Sequence, residues 1–541
     1  MEGKIDINKE KRSFIGEFLQ NTELNVKKFF KDYWVVILFF AIAIICAYGF
    51  ELFNFNITID EENSGYRNGP TLWYIMSDRW GMYLIQRIFL PNSILPFVPL
   101  FLSLIFRATG IFLILLTWDS FSKRKMILIG STMLIFPTLA YIDSFSVNNY
   151  GIGFGYLLVG VGIIIFTRTS SLWRFIAFVP LSIALGIYQG FIPVIVAVFG
   201  IFFVLQSVKK KHLRWKLLFE ILVALIISYI LYFVINKIFL LVYKVPSSGY
   251  IESYFDLNYL TNNFSIVISL LVKQMNTIYM GNSAVFGTRT FATPVIIVLA
   301  LIGGWYKIIT HKSSIATKIL LSFSLPVILV IPFVSGLFTR GHVLLRSLLA
   351  LPISIGGILA LAMVENKKLI QLILSFALLV GSYQFVVSNN SLFASSHLAL
   401  QADRLLASRI VTKIDEATAN QENPIYFVEI VGYTAPEFSD VIHKSEVIGS
   451  SFFEWDEGNS ERIVGFFETV GSSGYYPLPP EKRGWLVLKA EDMPIWPANG
   501  SVQIFNDTVV VKFGSYSDSQ KGKICSIEAN RDLLKATDFC H

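Results

Sequence analysis

Charged residues, cysteines and cofactor-binding motifs are all scarce in this sequence. Charged side chains make up 15% of the 541 residues and hydrophobic residues 54%, a balance typical of a polytopic membrane protein. The three cysteines and six histidines are scattered along the chain and form no clustered Cys/His metal motif. A Walker phosphate loop, a dinucleotide-binding fingerprint and an HExxH motif are also missing, which excludes the enzyme classes built around them.

We expect no cleavable signal peptide, and no internal repeat is visible in the sequence. Residues 1–33 are polar and rich in lysine, and we expect them to form a cytoplasmic tail with an amphipathic helix. The net charge of +7 does not indicate nucleic-acid binding, because the basic residues flank apolar runs as topology signals. The run Gly151-Ile-Gly-Phe-Gly155 superficially resembles a phosphate loop, but its position at the mouth of a span favours close helix packing.

Long apolar runs predict about eleven transmembrane helices, because about 20 apolar residues are needed to cross a bilayer. The predicted spans are 34–52, 94–118, 126–142, 151–167, 174–189, 191–206, 217–241, 291–309, 318–335, 342–363 and 369–388. With this odd number of spans every basic loop falls on one side, which predicts a cytoplasmic N-terminus and an extracytoplasmic C-terminus. The sequence therefore predicts an all-α membrane bundle at 34–388 followed by a periplasmic α+β domain at 389–541.

The predicted outer face carries two long loops, 53–93 and 242–290, besides the terminal domain. Residues 71–89 and 257–280 mix aromatic, charged and apolar side chains in a way that suits helices lying in the membrane interface. In the terminal domain we expect a helix and then strands separated by Gly/Pro/Ser-rich turns. The helix is predicted at 398–416 and the strands at 425–431, 484–488 and 508–512.

The acidic triplet Asp60, Glu61 and Glu62 follows the first span directly, which places three carboxylates at the outer membrane surface. Other polar residues are predicted to converge on the same face from the outer ends of the spans. They are Tyr66, Arg67, Asp78, Arg79, Trp80, Asp143, Gln189, Arg289, Arg340, His342 and Arg346. Ionisable groups at such positions are costly and indicate a functional site. One carboxylate could deprotonate a sugar hydroxyl while arginines hold the phosphate of a lipid-linked donor.

Each candidate also has a structural interpretation. Asp60 and Glu61 are neighbours whose side chains point in different directions, so we expect one of them to have a structural role. Arg79, Arg340 and Arg346 could anchor the protein to lipid headgroups, and Asp143 could cap a helix or pair with a basic residue. A flippase or transporter is the alternative from another functional class, but it would be expected to show inverted repeats and charges deep in the membrane.

Three short motifs resemble those of the serotype-converting O-antigen glucosyltransferases of enterobacteria and their phages. They are Ile59-Asp-Glu-Glu62, Ser77-Asp-Arg-Trp-Gly-Met-Tyr-Leu84 and Leu90-Pro-Asn-Ser-Ile-Leu-Pro96. That family resembles the larger class of polytopic glycosyltransferases with the GT-C fold. The resemblance implies an essential acid in the first outer loop, here Asp60 or Glu61, and a second acid, here Asp143.

The resemblance further implies undecaprenyl-phosphate glucose as the donor and lipid-linked O-antigen as the acceptor, at the periplasmic face of a bacterial inner membrane. Separate proteins are expected to synthesise and flip the donor. Transfer of aminoarabinose or mannose from a lipid phosphate is the alternative within enzymes. No cofactor is predicted, and the need for a divalent metal stays open.

The cysteines provide a prediction that depends on the topology. Cys46 lies in the first span and is interpreted as a small buried apolar residue. Cys525 and Cys540 both lie in the terminal domain, which the charge pattern places outside, where oxidation is possible. We therefore expect them to form a disulfide bond.

Overall fold

The protein is a bundle of long apolar helices with a small mixed sheet near its C-terminus. The computed structural model describes residues 7–62, 71–89, 95–118, 122–169, 171–249, 256–364, 368–419, 427–435, 442–472, 474–535 and 537–540. The bundle helices are α1 (Ile7–Phe53), α2 (Trp73–Met76), α3 (Trp80–Phe89), α4 (Val98–Thr117), α5 (Lys123–Leu134), α6 (Ala140–Asp143), α7 (Ser146–Arg168), α8 (Phe178–Ile187), α9 (Phe191–Lys210), α10 (Trp215–Tyr243), α11 (Leu257–Asn262), α12 (Phe264–Tyr279), α13 (Ser283–Phe286), α14 (Ala292–Thr310), α15 (Ile315–Val330), α16 (Ala350–Met363) and α17 (Lys368–Thr418).

Nine helices within the described ranges are long and apolar enough to cross a membrane. They coincide with nine of the eleven predicted spans. The other two predicted spans, 174–189 and 342–363, coincide with the shorter apolar helices Arg174–Ile187 and Ala350–Met363. The expectation of a predominantly helical membrane bundle is thereby confirmed. The predicted interface segments are also helical, 71–89 as α2 and α3 and 257–280 as α11 and α12.

Helices α4 and α7 pack with their backbones in close contact. A Cβ atom at Gly110 would come within 2.3 Å of the Tyr156 carbonyl oxygen, and one at Gly153 within 2.2 Å of the Ser103 carbonyl oxygen. Only glycine permits this approach, which small residues commonly provide between membrane helices. The glycine run that starts at Gly151 therefore serves helix packing, as the sequence indicated.

The C-terminal region joins the bundle through α17 (Lys368–Thr418). The last predicted span, 369–388, and the helix predicted at 398–416 are both parts of this one unbroken helix. The strands of the C-terminal region are β1 (Phe427–Val431), β2 (Tyr476–Pro477), β3 (Val502–Phe505) and β4 (Thr508–Lys512), and its helices are α18 (Ser460–Thr469), α19 (Gly484–Glu491), α20 (Asp518–Cys525) and α21 (Glu528–Leu533). The strand order in the sheet is β2-β1-β4-β3, with β1 parallel to β2 and β4, and β3 antiparallel to β4. The predicted strands at 425–431 and 508–512 correspond to β1 and β4.

The predicted strand at 484–488 is wrong, because these residues begin helix α19. Leu486, Val487 and Ala490 are the buried apolar side chains of this helix, and their spacing fits one helical face rather than alternate faces of a strand. The close contact of Gly484 with Asn530 fixes the start of α19 against α21.

Cys525 and Cys540 are bonded to each other in the structure, and their Cα atoms are 5.7 Å apart. The bond links the end of α20 to the last residues of the chain. Cys46, the third cysteine, is free, and its side chain lies on the outside of α1 rather than in the buried position that we expected.

Candidate functional site

The acidic loop, residues 54–62, leaves the end of α1 and folds against the start of α7. Its Thr58 hydroxyl donates to the carbonyl oxygen of Ser144 over 3.2 Å. The Glu61 carboxylate accepts the backbone N–H groups of Thr58 (2.8 Å) and Val147 (3.2 Å) and has no exposed surface. Burial raises the pKa of Glu61 to about 8, although these hydrogen bonds lower it. Glu61 thus fixes the loop to α7.

Arg462 on α18 forms ion pairs with the other two carboxylates of the acidic loop, those of Asp60 and Glu62. Its guanidinium contacts Asp60 Oδ1 at 3.0 Å, Glu62 Oε1 at 2.6 Å and Asp456 Oδ2 at 2.8 Å. Glu62 is buried, whereas the Asp60 side chain is 60% exposed. Asp60 and Glu61 therefore diverge, as expected for neighbours. Arg462 was not predicted, because 400 residues separate it from Glu62.

A narrow cleft lies beside the acidic loop, and we call it the carboxylate cleft. Its polar lining consists of Glu51, Asn56, Asp143, Ser144, Ser146 and Asn149, and its apolar lining of Phe55, Leu95, Phe97, Pro99 and Leu100. Asn56 Nδ2 donates to Glu51 Oε2 over 2.6 Å. Glu61 and Asp143 are near enough to Glu51 to interact with it electrostatically. The free volume is about 20 Å³, so a sugar would enter only if the walls separate.

Asp143 is held by a buried partner that the sequence analysis missed. Arg107 on α4 donates from both terminal nitrogens to the two oxygens of Asp143, one bond measuring 2.7 Å, and neither side chain is exposed. The guanidinium also lies 5.7 Å from the Tyr156 ring centroid. An arginine in the middle of the predicted span 94–118 is itself a signal of function, and this signal could have identified Arg107.

Asp78 and Arg79 lie in the link between α2 and α3, and Trp80 is the first residue of α3. The Asp78 carbonyl oxygen accepts from Gln189 Nε2 at 2.7 Å, and Asp78 Oδ1 accepts from Asn236 at 2.5 Å. The indole of Trp80 is buried. The Arg79 guanidinium lies 5.0 Å from the Tyr188 ring centroid. Asp78 and Gln189 thus hold the link in place and present Arg79 beside α8.

Tyr74 on α2 lies near both Arg79 and the acidic loop. The Tyr74 hydroxyl, which donates to Asn148 Oδ1 over 3.0 Å, interacts electrostatically with Arg79, Glu61 and Asp60. Burial raises the pKa of Tyr74, so this hydroxyl keeps its proton. Arg79 and the acidic loop therefore lie within electrostatic reach of one side chain, Tyr74.

The other basic residues predicted for the site divide into one that lies near the carboxylate cleft and three that do not. Arg346 contacts Glu446 Oε1 at 2.8 Å, and its guanidinium lies 5.6 Å from the ring centroid of Phe145, which is adjacent to two residues of the cleft lining. Arg340 forms a surface ion pair with Asp256 at 2.9 Å, His342 is exposed, and Arg289 lies against Phe291. Within the described ranges, no contact joins these last three to the acidic loop. Tyr66 and Arg67 lie outside the described residues.

Metal-ligand clusters are not found in the described part of the chain, where no group of three or more His, Cys, Asp or Glu side chains is placed to hold an ion. Carboxylates in the site are instead compensated by Arg107 and Arg462 or by amide N–H groups. The arrangement can accept a proton at an exposed carboxylate and can offer guanidinium groups to an anion.

Comparison with known proteins identifies a family model that matches more than half of the chain. The family model described as "Glucosyl transferase GtrII" matches residues 49–364, a stretch that includes the acidic loop, the carboxylate cleft and Arg79. No curated protein matches the sequence at a significant level. Among solved structures, the archaeal oligosaccharyltransferase AglB from Archaeoglobus fulgidus, in complex with an inhibitory peptide and a dolichol-phosphate, aligns with 15% identity and a TM-score of 0.39. The alignment covers 83% of this chain and 64% of that chain.

Proposed function

The chain belongs to the GtrII family of glucosyl transferases, and we propose that it transfers glucose from undecaprenyl phosphate to a hydroxyl of lipid-linked O-antigen. The transfer takes place at the periplasmic face of a bacterial inner membrane, with the N-terminus in the cytoplasm. The donor is made and flipped by separate proteins. Positively charged loops on one side of the predicted spans support this topology.

One observation carries the choice of the catalytic group. Asp60 is the carboxylate of the acidic triplet with an exposed side chain, and Arg462 holds it at 3.0 Å. Glu61 and Glu62 have no exposed surface. A general base must reach the proton that it removes. Of the two acids that the sequence favoured, Asp60 therefore fits the role, while Glu61 positions the loop through its bonds to Thr58 and Val147.

The proposed reaction is a single displacement with inversion at the anomeric carbon. Asp60 accepts the proton of the acceptor hydroxyl as its oxygen bonds to the anomeric carbon of glucose. The bond between that carbon and the lipid phosphate oxygen breaks, and the phosphate leaves with the electron pair. Arg79 and Arg346 stabilise its growing negative charge, because guanidinium groups pair with phosphate in bidentate geometry.

The carboxylate cleft is the proposed donor site. Its polar lining suits the sugar hydroxyls, and its apolar lining continues to Phe97, which stacks on the exposed Phe101 of α4. A lipid chain could follow this aromatic edge into the bilayer. Glu51 is the cleft carboxylate that accepts one described hydrogen bond, from Asn56, and we assign it to a donor hydroxyl. Asp143 stays paired with Arg107 and forms part of the wall of the carboxylate cleft.

The function is tested with purified protein in lipid nanodiscs and radiolabelled undecaprenyl-phosphate glucose. With lipid-linked O-antigen as acceptor, we expect the label to move into the glycan. The same assay with undecaprenyl-phosphate mannose and aminoarabinose tests the alternative donors. Folded protein that transfers label from none of the three would overturn the proposal, and movement of an intact donor across a sealed vesicle without transfer would favour a flippase.

A further inference from the structure

The C-terminal region contains a second concavity, which we call the C-terminal cavity. Its volume is about 460 Å³, and it is lined by Tyr433, Lys444, Ser450, Ser451, Glu454, Trp455, Asp456 and Glu457. Small-molecule sites commonly enclose about 300–1,000 Å³. The cavity lies beyond residues 49–364, where the family model matches.

Two aromatic rings and several fixed acceptors characterise this lining. The Tyr433 side chain is 48% exposed, and Trp455 is partly buried. The three carboxylates already have partners, since Glu454 pairs with Lys444, Asp456 with Arg462, and Glu457 with the N–H of Ser519. Among the described residues Glu457 has only this neutral partner, and Arg462 also binds Asp60 and Glu62, so the lining keeps a net negative charge that disfavours an anionic ligand. Hydroxyl groups can donate to the remaining lone pairs of the carboxylates.

The backbone at the cavity is strained and held in place by buried contacts. Asp456, Glu457 and Gly458 have φ values of 51°, 56° and 87°, and two of these three consecutive residues are not glycine. Such strain persists only where the surroundings enforce it, and it concentrates at functional sites. Gln520 Nε2 donates to the Gly458 carbonyl oxygen over 2.6 Å, and Ser517 Oγ to the Glu457 carbonyl oxygen over 2.8 Å. The carboxylates at 456 and 457 are therefore pre-positioned.

The cavity is connected to the proposed catalytic group by a single side chain. Arg462 binds Asp456 of the cavity lining through Nε and Asp60 of the acidic loop through Nη2. A ligand in the cavity would therefore lie next to the group that removes a proton from the acceptor. We propose that the C-terminal cavity binds an uncharged oligosaccharide segment of the acceptor glycan, with sugar faces against Tyr433 and Trp455 and hydroxyls on the carboxylates. This inference rests on the proposed function.

The first test is binding of a lipid-free glycan to the full-length protein in nanodiscs. The probe is the fluorescently labelled polysaccharide released by mild acid from the lipopolysaccharide of the bacterium that produces the protein. Tyr433→Ala removes an exposed ring and should weaken binding about three- to tenfold, the scale of one aromatic contact. Tyr433→Phe keeps the ring and should bind like the wild type. Tyr476→Ala removes a ring from β2 that is 58% exposed and lies outside the cavity lining, and it serves as the matched control.

The second readout is the transfer reaction. Tyr433→Ala should raise KM for the acceptor by the same factor while kcat and the donor KM stay unchanged. If Tyr433→Ala keeps the wild-type affinity and acceptor KM, the cavity assignment is wrong and the proposed function is untouched. If the wild type binds the polysaccharide in a Tyr433-dependent manner but transfers no sugar, the proposed function is wrong and the cavity assignment stands.

Discussion

Arg107 and Asp143 form an ion pair inside the helical bundle, with two parallel hydrogen bonds and no exposed surface on either side chain. Asp143 therefore enters the cleft wall with its charge already compensated. Removing one partner of such a buried pair strongly destabilises the folded protein, because the remaining charge has neither water nor a counter-charge beside it.

We expect Arg107→Met to lower the free energy of unfolding by about 3–5 kcal/mol. The double variant Arg107→Met/Asp143→Leu replaces the pair by apolar side chains and should recover most of that loss. Denaturant unfolding in detergent measures both effects. We also expect the double variant to transfer sugar within about tenfold of the wild-type rate. A stable double variant without any transfer would contradict this assignment and give Asp143 a part in the chemistry.

The phosphate contacts can be tested by exchanging arginine for lysine. Arg79→Lys and Arg346→Lys keep the charge but lose the planar bidentate geometry, so each should lower kcat about tenfold or more. Arg340→Lys changes a surface arginine that pairs with Asp256 and should leave kcat unchanged. Steady-state transfer kinetics with labelled donor measure all three. Wild-type kinetics in both Arg79→Lys and Arg346→Lys would reject the role of these two arginines.

Glu61 should make stability depend on pH. Burial raises its pKa from 4.5 to about 8 in the folded protein, so between these values the folded state holds a proton that the unfolded chain releases. Stability is therefore lost as the pH rises from about 4.5 to about 8 and then stays level. Glu61→Gln should lose less thermal stability than the wild type across this window, whereas Glu416→Gln, at an exposed position of α17, should follow the wild type. Parallel melting curves for Glu61→Gln and the wild type would contradict the burial argument.

The disulfide tests the proposed topology. Thiol labelling of denatured, unreduced protein from cells should detect Cys46 alone, while Cys525→Ser should expose Cys540 as a second free thiol. Loop closure over 15 residues should contribute about 3 kcal/mol to stability. A cytoplasmic C-terminal region would keep its thiols reduced, so labelling of all three cysteines in the wild type would contradict the periplasmic placement.

The sequence predicted the helical bundle well, because a membrane span needs a long apolar run, which is easy to recognise in a sequence. The acidic triplet was also recognisable, since carboxylates beside a span are conspicuous. Arg462 could not be found this way, because its contacts with Asp60 and Glu62 join distant parts of the chain. The strand predicted at 484–488 was wrong because short apolar runs suit both strands and helices, and packing of α19 against α21 decides the outcome.

The central claim is that Asp60 removes the proton from the acceptor hydroxyl, and single-turnover transfer measures it most directly. Purified wild type, Asp60→Asn and Glu51→Gln are mixed with saturating labelled donor and acceptor, and label in the glycan is followed over time. Asp60→Asn should fold normally, bind the donor as the wild type does and transfer about a hundredfold more slowly or worse, the scale of acid–base catalysis. Glu51→Gln should chiefly weaken donor binding. A wild-type transfer rate in Asp60→Asn would contradict the account.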